Sequence, residues 1–210
     1  RRTVKRGIEM IEVYADIGCP FTHVGLRRFV ERRAEMGRED VLLWVRSWPL
    51  EIINGKPLDP DFIAEEIVDI REQLAPNLFV GFEAEKFPVS SLSALTLALA
   101  AYGVGPQVGE AVSLRLRDLL FEQGVDVSDP AVLADLASEF EVQIGATDQQ
   151  RVLDEYTSGR ERGVIGSPHF FTPTADFFCP ALDVSRDSLG NLQVCANEAA
   201  FDEFILACFS

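Results

Sequence analysis

The sequence predicts an α/β fold in which a strand–helix–strand unit and a strand–strand–helix unit bracket a block of helices. Three observations point there. Short strand-like apolar runs occur near the two ends of the chain, at 8–14, 41–45 and 164–178. Between them, over roughly a hundred residues, apolar positions recur at helical spacing. The composition, 47% hydrophobic and 25% charged over 210 residues, is that of a chain with a buried core. At roughly 150 residues per domain, this length gives one large domain or one domain with an insertion.

The elements follow in order. Ile8 to Tyr14 reads as a strand, with Ile8, Met10, Ile11 and Val13 apolar among glutamates. Asp16-Ile17-Gly18 is a tight connection. A helix begins near Cys19-Pro20, because a proline in the first turn loses no hydrogen bond, and it runs to about Met36, where Gly37 stops it. Val41 to Val45 is a continuous apolar run, as in a strand buried on both faces, so the two strands are parallel with a right-handed crossover. Ile63, Ile67, Ile70 and Leu74 form one helical stripe ended by Pro76, and Ser91 to Tyr102 is apolar nearly all round, as in a central helix. Pro106 opens the next helix. Asp129-Pro130 caps and starts another, and Thr147 to Gln150 fits a capping box for a helix to about Arg162. Val164-Ile165, Phe170-Phe171 and Phe177-Phe178 read as strands, the last two forming a hairpin around Pro173 to Asp176. Pro180 to Ala196 reads as a long loop with a short strand at Leu192 to Val194. Asn197 caps a last helix.

Lys and Arg number 19 against 34 Asp and Glu, a net charge of −15, which repels phosphate backbones and argues against nucleic acid as a partner. The basic clusters are Arg1, Arg2, Lys5 and Arg6 at the start, and Arg27, Arg28, Arg32 and Arg33 on a helix face. No apolar run reaches the roughly 18 residues of a bilayer span. Glu9 and Glu12 interrupt what would be a signal-peptide core, so a cytoplasmic location and no membrane partner are expected. Cys208 shares a helical face with Phe201, Phe204 and Ile205 and reads as core; Cys179 and Cys195 are left as a conceivable pair. With two histidines and no C-x-x-C, no metal site is expected. Trp44 and Trp48 read as core and pocket wall. Glu65-Glu66 and the segment around Glu83 and Glu85 read as solvated faces, and Gly103-Val104-Gly105 as a helix-to-helix turn.

Cys19 is the sharpest candidate for chemistry. A thiol where a strand ends and a helix begins sits among free N–H groups at the positive end of the dipole, which lowers its pKa. A buried, inert cysteine is the other reading of the same position. Gly166-Ser167-Pro168, between two apolar strands, invites a cis Ser167–Pro168 bond, with an ordinary trans turn as the alternative. His23 lies four residues after Cys19, at helical spacing for the same face, where it would raise thiolate content or shuttle a proton, or is simply a partly exposed helix residue. His169 follows Pro168 and either approaches Cys19 or points away along its strand.

The run Cys19-Pro20-Phe21-Thr22-His23-Val24-Gly25 through Phe29 resembles the active-site helix of DsbA-like thioredoxin-fold proteins, usually Cys-Pro-x-Cys with a Gly and a Phe further on. Gly166-Ser167-Pro168 resembles their cis-proline loop. The resemblance implies a thioredoxin-like fold of residues 1–52 and 163–210 with an inserted all-helical domain, 53–162. It makes Cys19 the nucleophile, with Thr22 and Pro168 beside it. Pro20, Phe21, His23, Ser167 and His169 would surround the substrate, the Ser167 backbone pairing with an extended thiol or peptide. Thr22 departs from the pattern, because it stands where the second cysteine would. The internal disulfide of the motif cannot form, and Thr22 would instead donate a hydrogen bond to the Cys19 thiolate.

The implied activity is a thiol–disulfide oxidoreductase with a single active-site cysteine, its mixed disulfide resolved by an external thiol. Cys179 reads first as a structural residue and only after that as a distant resolving thiol. The same branch of the fold includes 2-hydroxychromene-2-carboxylate isomerases and kappa-class glutathione transferases, which resemble this chain in helical insertion and cis-proline loop. A transferase or isomerase using a thiol cofactor is therefore the alternative, and a non-catalytic binding protein a third. No tightly bound cofactor is implied beyond a low-molecular-weight thiol such as glutathione. The partner would be a thiol or disulfide substrate, small molecule or peptide, and a homodimer is allowed.

Overall fold

The computed structural model describes residues 8–210; the basic cluster Arg1, Arg2, Lys5 and Arg6 lies outside the described residues. β1 (Glu9–Ala15), α1 (Pro20–Glu35) and β2 (Val41–Ser47) form the first unit, with β1 and β2 parallel in register from Glu9↔Val41 to Ala15↔Ser47. The helices α2 (Leu50–Asn54), α3 (Pro60–Gln73), α4 (Leu92–Val104), α5 (Pro106–Gln123), α6 (Pro130–Glu139) and α7 (Asp148–Arg162) follow, and then β3 (His169–Phe171) and β4 (Asp176–Phe178). The sheet order is β2-β1-β3-β4, with β3 antiparallel to both β1 and β4. A hairpin of β5 (Leu182–Arg186) and β6 (Leu192–Ala196) precedes α8 (Glu198–Phe209).

α1 and α8 pack together through Phe29 and Phe204, and Phe204 also meets Phe170 of β3 and Phe177 of β4. A second, smaller cluster of Tyr14, Trp48 and Val164 joins Tyr156 of α7 and Phe171. The main core runs without a break from the strands into α3, α4 and α5.

β2 is an edge strand, and an edge leaves backbone donors and acceptors unpaired. Helical side chains meet them one by one. Glu110 of α5 accepts from Leu43 N–H, and the Tyr102 hydroxyl of α4 accepts from Val45 N–H and donates to Leu43 C=O. Glu155 of α7 accepts from Ser47 N–H, and Arg33 donates to Val41 C=O. Tyr102 passes over Gly109, where a β-carbon would come within 2.1 Å of its ring, so glycine is required there.

Three local expectations are corrected. Thr147 has helical backbone angles and its side chain makes no cap bond; the Asp148 carboxylate accepts from Gly145 N–H instead, so the capping box does not form. Val164-Ile165 is not a strand. Gly163, at φ +87, reverses the chain after α7, and Val164 N–H bonds back to Gly159 C=O, closing the helix end. The stretch read as a loop, 180–196, holds the β5–β6 hairpin, whose Leu182, Leu192 and Val194 face inward while most of the remainder is exposed. A one-sided hairpin with only three inward apolar residues gives little alternation to read. All four cysteines are free, so Cys179 and Cys195 are not bonded.

Candidate active site

β1 delivers the chain to Asp16-Ile17-Gly18, and Cys19 caps α1 with extended backbone angles (φ −85°, ψ 113°) and Pro20 in the first turn. The extended cap aims the Cys19 side chain away from the helix and toward the loop before β3. There its Sγ donates to Ser167 C=O at 3.3 Å. The Ser167–Pro168 bond is cis. The Pro168 ring lies over α1, 3.6 Å from where a β-carbon on Gly25 would sit. The Ser167 hydroxyl is 2.7 Å from the Thr22 hydroxyl and accepts from Asp16 N–H at 3.0 Å. Cys19, Pro20, Phe21, Thr22, Ser167 and Pro168 thus lie together.

Cys19 opens on a cavity of about 470 Å³. Phe21, Ser167, Leu50, Leu58, Phe62 and Ile63 line it, and Asn54, Lys56, Asp59 and Glu66 are its other polar residues. The walls are mainly apolar, and Cys19 is one of the lining residues.

Cys19 is only 5% exposed. Burial pushes its thiol up from the ordinary range; hydrogen bonding from Thr22 and Ser167 works the other way, and the nearby Asp16 charge adds to the rise. The expectation of a lowered pKa from the helix start alone is corrected. Pro20 brings no N–H to the first turn, and desolvation outweighs what the remaining donors supply. The resting group is a thiol donating to a carbonyl, with two rotatable hydroxyls, Thr22 and Ser167, at hand for the thiolate.

The two histidines do not join Cys19. His23 turns into the core between Phe79 and Phe121, its Nε2 2.7 Å from Glu122 of α5. Burial lowers its pKa, opposed by Glu122. Burial alone would raise Glu122, yet the bonds from His23 and Phe79 N–H leave that carboxyl below its usual range. His169 faces the other side of the sheet, stacked on Phe171 at 4.6 Å. Its Nδ1 accepts from Ile165 N–H, which leaves Nε2 to donate to Asp176 at 2.8 Å. Neither histidine lines the cavity. Among the described residues no group of three His, Cys, Asp or Glu is placed to hold a metal.

The sequence reading missed the buried charge under Cys19. The Asp16 carboxylate accepts from Gly18 N–H and Leu50 N–H, both at 2.7 Å, and from the Ser91 hydroxyl at 3.1 Å. Burial still raises its pKa. Arg117, 1% exposed, donates to Asp16 C=O and to Ser113, and burial draws its pKa down to about 10. Glu66, read as solvated, is 8% exposed; burial carries it up to about 7 although Arg186 pairs with it at 2.8 Å. No motif signals these residues, because Asp16 with Leu50 and Ser91, Arg117 with Asp16, and Glu66 with Arg186 are brought together only by the fold.

No protein-family model and no curated protein sequence matches the chain. Solved structures do. The cytosolic disulfide reductase DsbM from Pseudomonas aeruginosa matches at TM-score 0.59 and 13% identity, over 94% of this chain and 95% of that one. The same protein with GSH matches at 0.60, over 94% and 96%. A 2-hydroxychromene-2-carboxylate isomerase matches at 0.58 and 15% identity, over 80% and 88%. The chain has the DsbA-like thioredoxin fold. Among the described residues no helix is long and apolar enough to cross a membrane.

Proposed function

We propose that this chain is a thiol–disulfide oxidoreductase with Cys19 as its nucleophile, working in the cytoplasm with glutathione or an equivalent small thiol. One observation carries the reading: the Cys19 sulfur sits at the cap of α1, hydrogen-bonded to Ser167 beside Pro168, and Cys19 lines a cavity of about 470 Å³. The fold shared with a disulfide reductase, and with its GSH-containing form, supports it.

Cys19 attacks a disulfide R–S–S–R′. A Cys19–S–S–R bond forms, and R′S⁻ leaves and takes the Cys19 proton. During the attack the thiolate loses its bond to Ser167 C=O and gains the hydroxyls of Thr22 and Ser167. The freed Ser167 carbonyl then pairs with substrate backbone, as a sheet edge does. Phe21 and Pro20 shape the rim. Thr22 cannot release R, so a thiol from elsewhere attacks the mixed disulfide and returns Cys19 to its reduced state. In the same proposal, residues 1–52 and 163–210 are the body that carries this chemistry and 53–162 the helical insert, which adds Leu58, Phe62 and Ile63 to the cavity lining.

The second reading is a thiol-dependent transferase or isomerase. The apolar wall of Leu50, Leu58, Phe62 and Ile63 favours it, because it suits an apolar co-substrate. Two assays separate them. Glutathione-dependent reduction of insulin, lost in Cys19→Ser, is the expected result. Conjugation of glutathione to an aromatic electrophile without insulin reduction favours the second reading. Silence in both makes the chain a binding protein.

A further inference from the structure

We propose that Cys179 is the resolving thiol of this site, closing a disulfide with Cys19 across the Ser167–Pro168 dipeptide. The inference rests on the oxidoreductase reading above and replaces its external thiol in the resolving step only.

The two cysteines are fastened to adjacent residues. Cys19 Sγ donates to Ser167 C=O, and Cys179 N–H donates to the next carbonyl, Pro168, at 2.9 Å. The β3–β4 register, His169↔Phe178, sets Cys179 opposite Pro168 at the following position. The Pro168 ring faces α1, at Gly25. Cys179 packs against the main core, to which α1 belongs, and not against the Tyr14–Trp48 cluster on the other face. Its φ of +44°, which a residue with a β-carbon seldom adopts, turns the chain there, and Leu182 N–H closes the turn onto Cys179 C=O. Cys179 is half-buried, whereas Cys195 is exposed on the hairpin and Cys208 lies deep in the core.

Burial pushes the Cys179 thiol up to about 12, and the Cys19 charge adds to the rise.

The step balances as ordinary exchange. After Cys19–S–S–R has formed, Cys179 Sγ attacks Cys19 Sγ. The Cys19–R bond breaks, the Cys179 proton goes to the leaving sulfur, and RSH departs. A substrate disulfide has been reduced by two electrons and the two protein thiols oxidised to Cys19–S–S–Cys179. Two molecules of a small thiol then reduce that bond and leave as their own disulfide. Closure requires the Cys179–Leu182 turn to swing toward the cap of α1 once the sulfur has left Ser167.

The test treats the reduced protein with oxidised glutathione, in a Cys195→Ser background that removes the exposed competitor, followed by acid quench and peptide mapping. The expected product is a Cys19–Cys179 cross-linked peptide pair, with glutathione on Cys19 at least tenfold more abundant in Cys179→Ala than with Cys179 present. Equal adduct on Cys19 in both proteins, with no cross-linked pair, overturns the role of Cys179 and leaves the oxidoreductase reading standing. Neither adduct nor pair at Cys19 overturns both. Should Cys179→Ala fail to fold, the cross-linked pair in the protein that retains Cys179 decides by itself.

Discussion

Replacing Thr22 by Val removes a hydroxyl that favours the Cys19 thiolate. A hydrogen bond to a charged group is worth about 1.5–3 kcal/mol, and about 1.4 kcal/mol equals one pH unit. The midpoint of Cys19 alkylation against pH should therefore rise by about one unit in Thr22→Val. An unchanged midpoint would mean that the hydroxyl serves Ser167 alone. Asp16→Asn removes the charge that raises Cys19 and keeps an oxygen acceptor for only one of Gly18 N–H and Leu50 N–H, which bond to different carboxylate oxygens, so the same midpoint should fall. At this scale the sequence exposed Cys19, Thr22 and Ser167-Pro168, because motif and order mark them. It misplaced His23, because helical spacing was counted from Cys19, whose extended cap backbone departs from the helix. It missed Asp16 and Arg117, because a buried charge leaves no local pattern.

α3 and the β5–β6 hairpin are tied by polar bonds as well as packing. Gln73 donates to Leu192 C=O and accepts from Val194 N–H, and Glu66 pairs with Arg186. These bonds hold the wall of the cavity that carries Phe62 and Ile63. Burial lifts Glu66 from its ordinary 4.5 to about 7 in the folded chain, so between those values the native state holds the extra proton. Stability from this group is present below about pH 4.5 and is lost as pH rises through 7. Melting temperatures should show that decline in the unaltered protein, and Glu66→Gln should flatten it. A decline of the same slope in Glu66→Gln would assign it to other groups. α1, with its Cys19-Pro20 start and Gly37 stop, α3, with its apolar stripe, and α4, apolar nearly all round, were legible from sequence. The hairpin was not, since its inward face is supplied by three apolar side chains and its order comes from contacts with α3.

Across the whole molecule the helical block and the sheet share one core and one covered edge. Arg33 and Glu110 form a buried pair with two bonds of 2.8 Å, and Glu110 also holds Leu43 N–H of the edge strand. Breaking such a pair from one side leaves an uncompensated charge and costs about 3–5 kcal/mol. Glu110→Ala should lose stability of that size in denaturant unfolding; a loss below about 1 kcal/mol would contradict the role given to the edge cover. The shared core predicts one cooperative transition, despite the proposed division into body and insert. Fluorescence of Trp48, which lies between sheet and α7, should change together with far-ultraviolet helicity.

On the oxidoreductase reading, Cys19 forms mixed disulfides while the chain is folded. A single-turnover reaction of the native protein with a limiting aromatic disulfide, read by peptide mass spectrometry, tests this. Cys19, despite its burial, should be modified ahead of the exposed Cys195, and the fast phase should vanish in Cys19→Ser. Modification of Cys195 first, with Cys19 reacting only on unfolding, would make Cys19 a core residue and overturn the oxidoreductase reading.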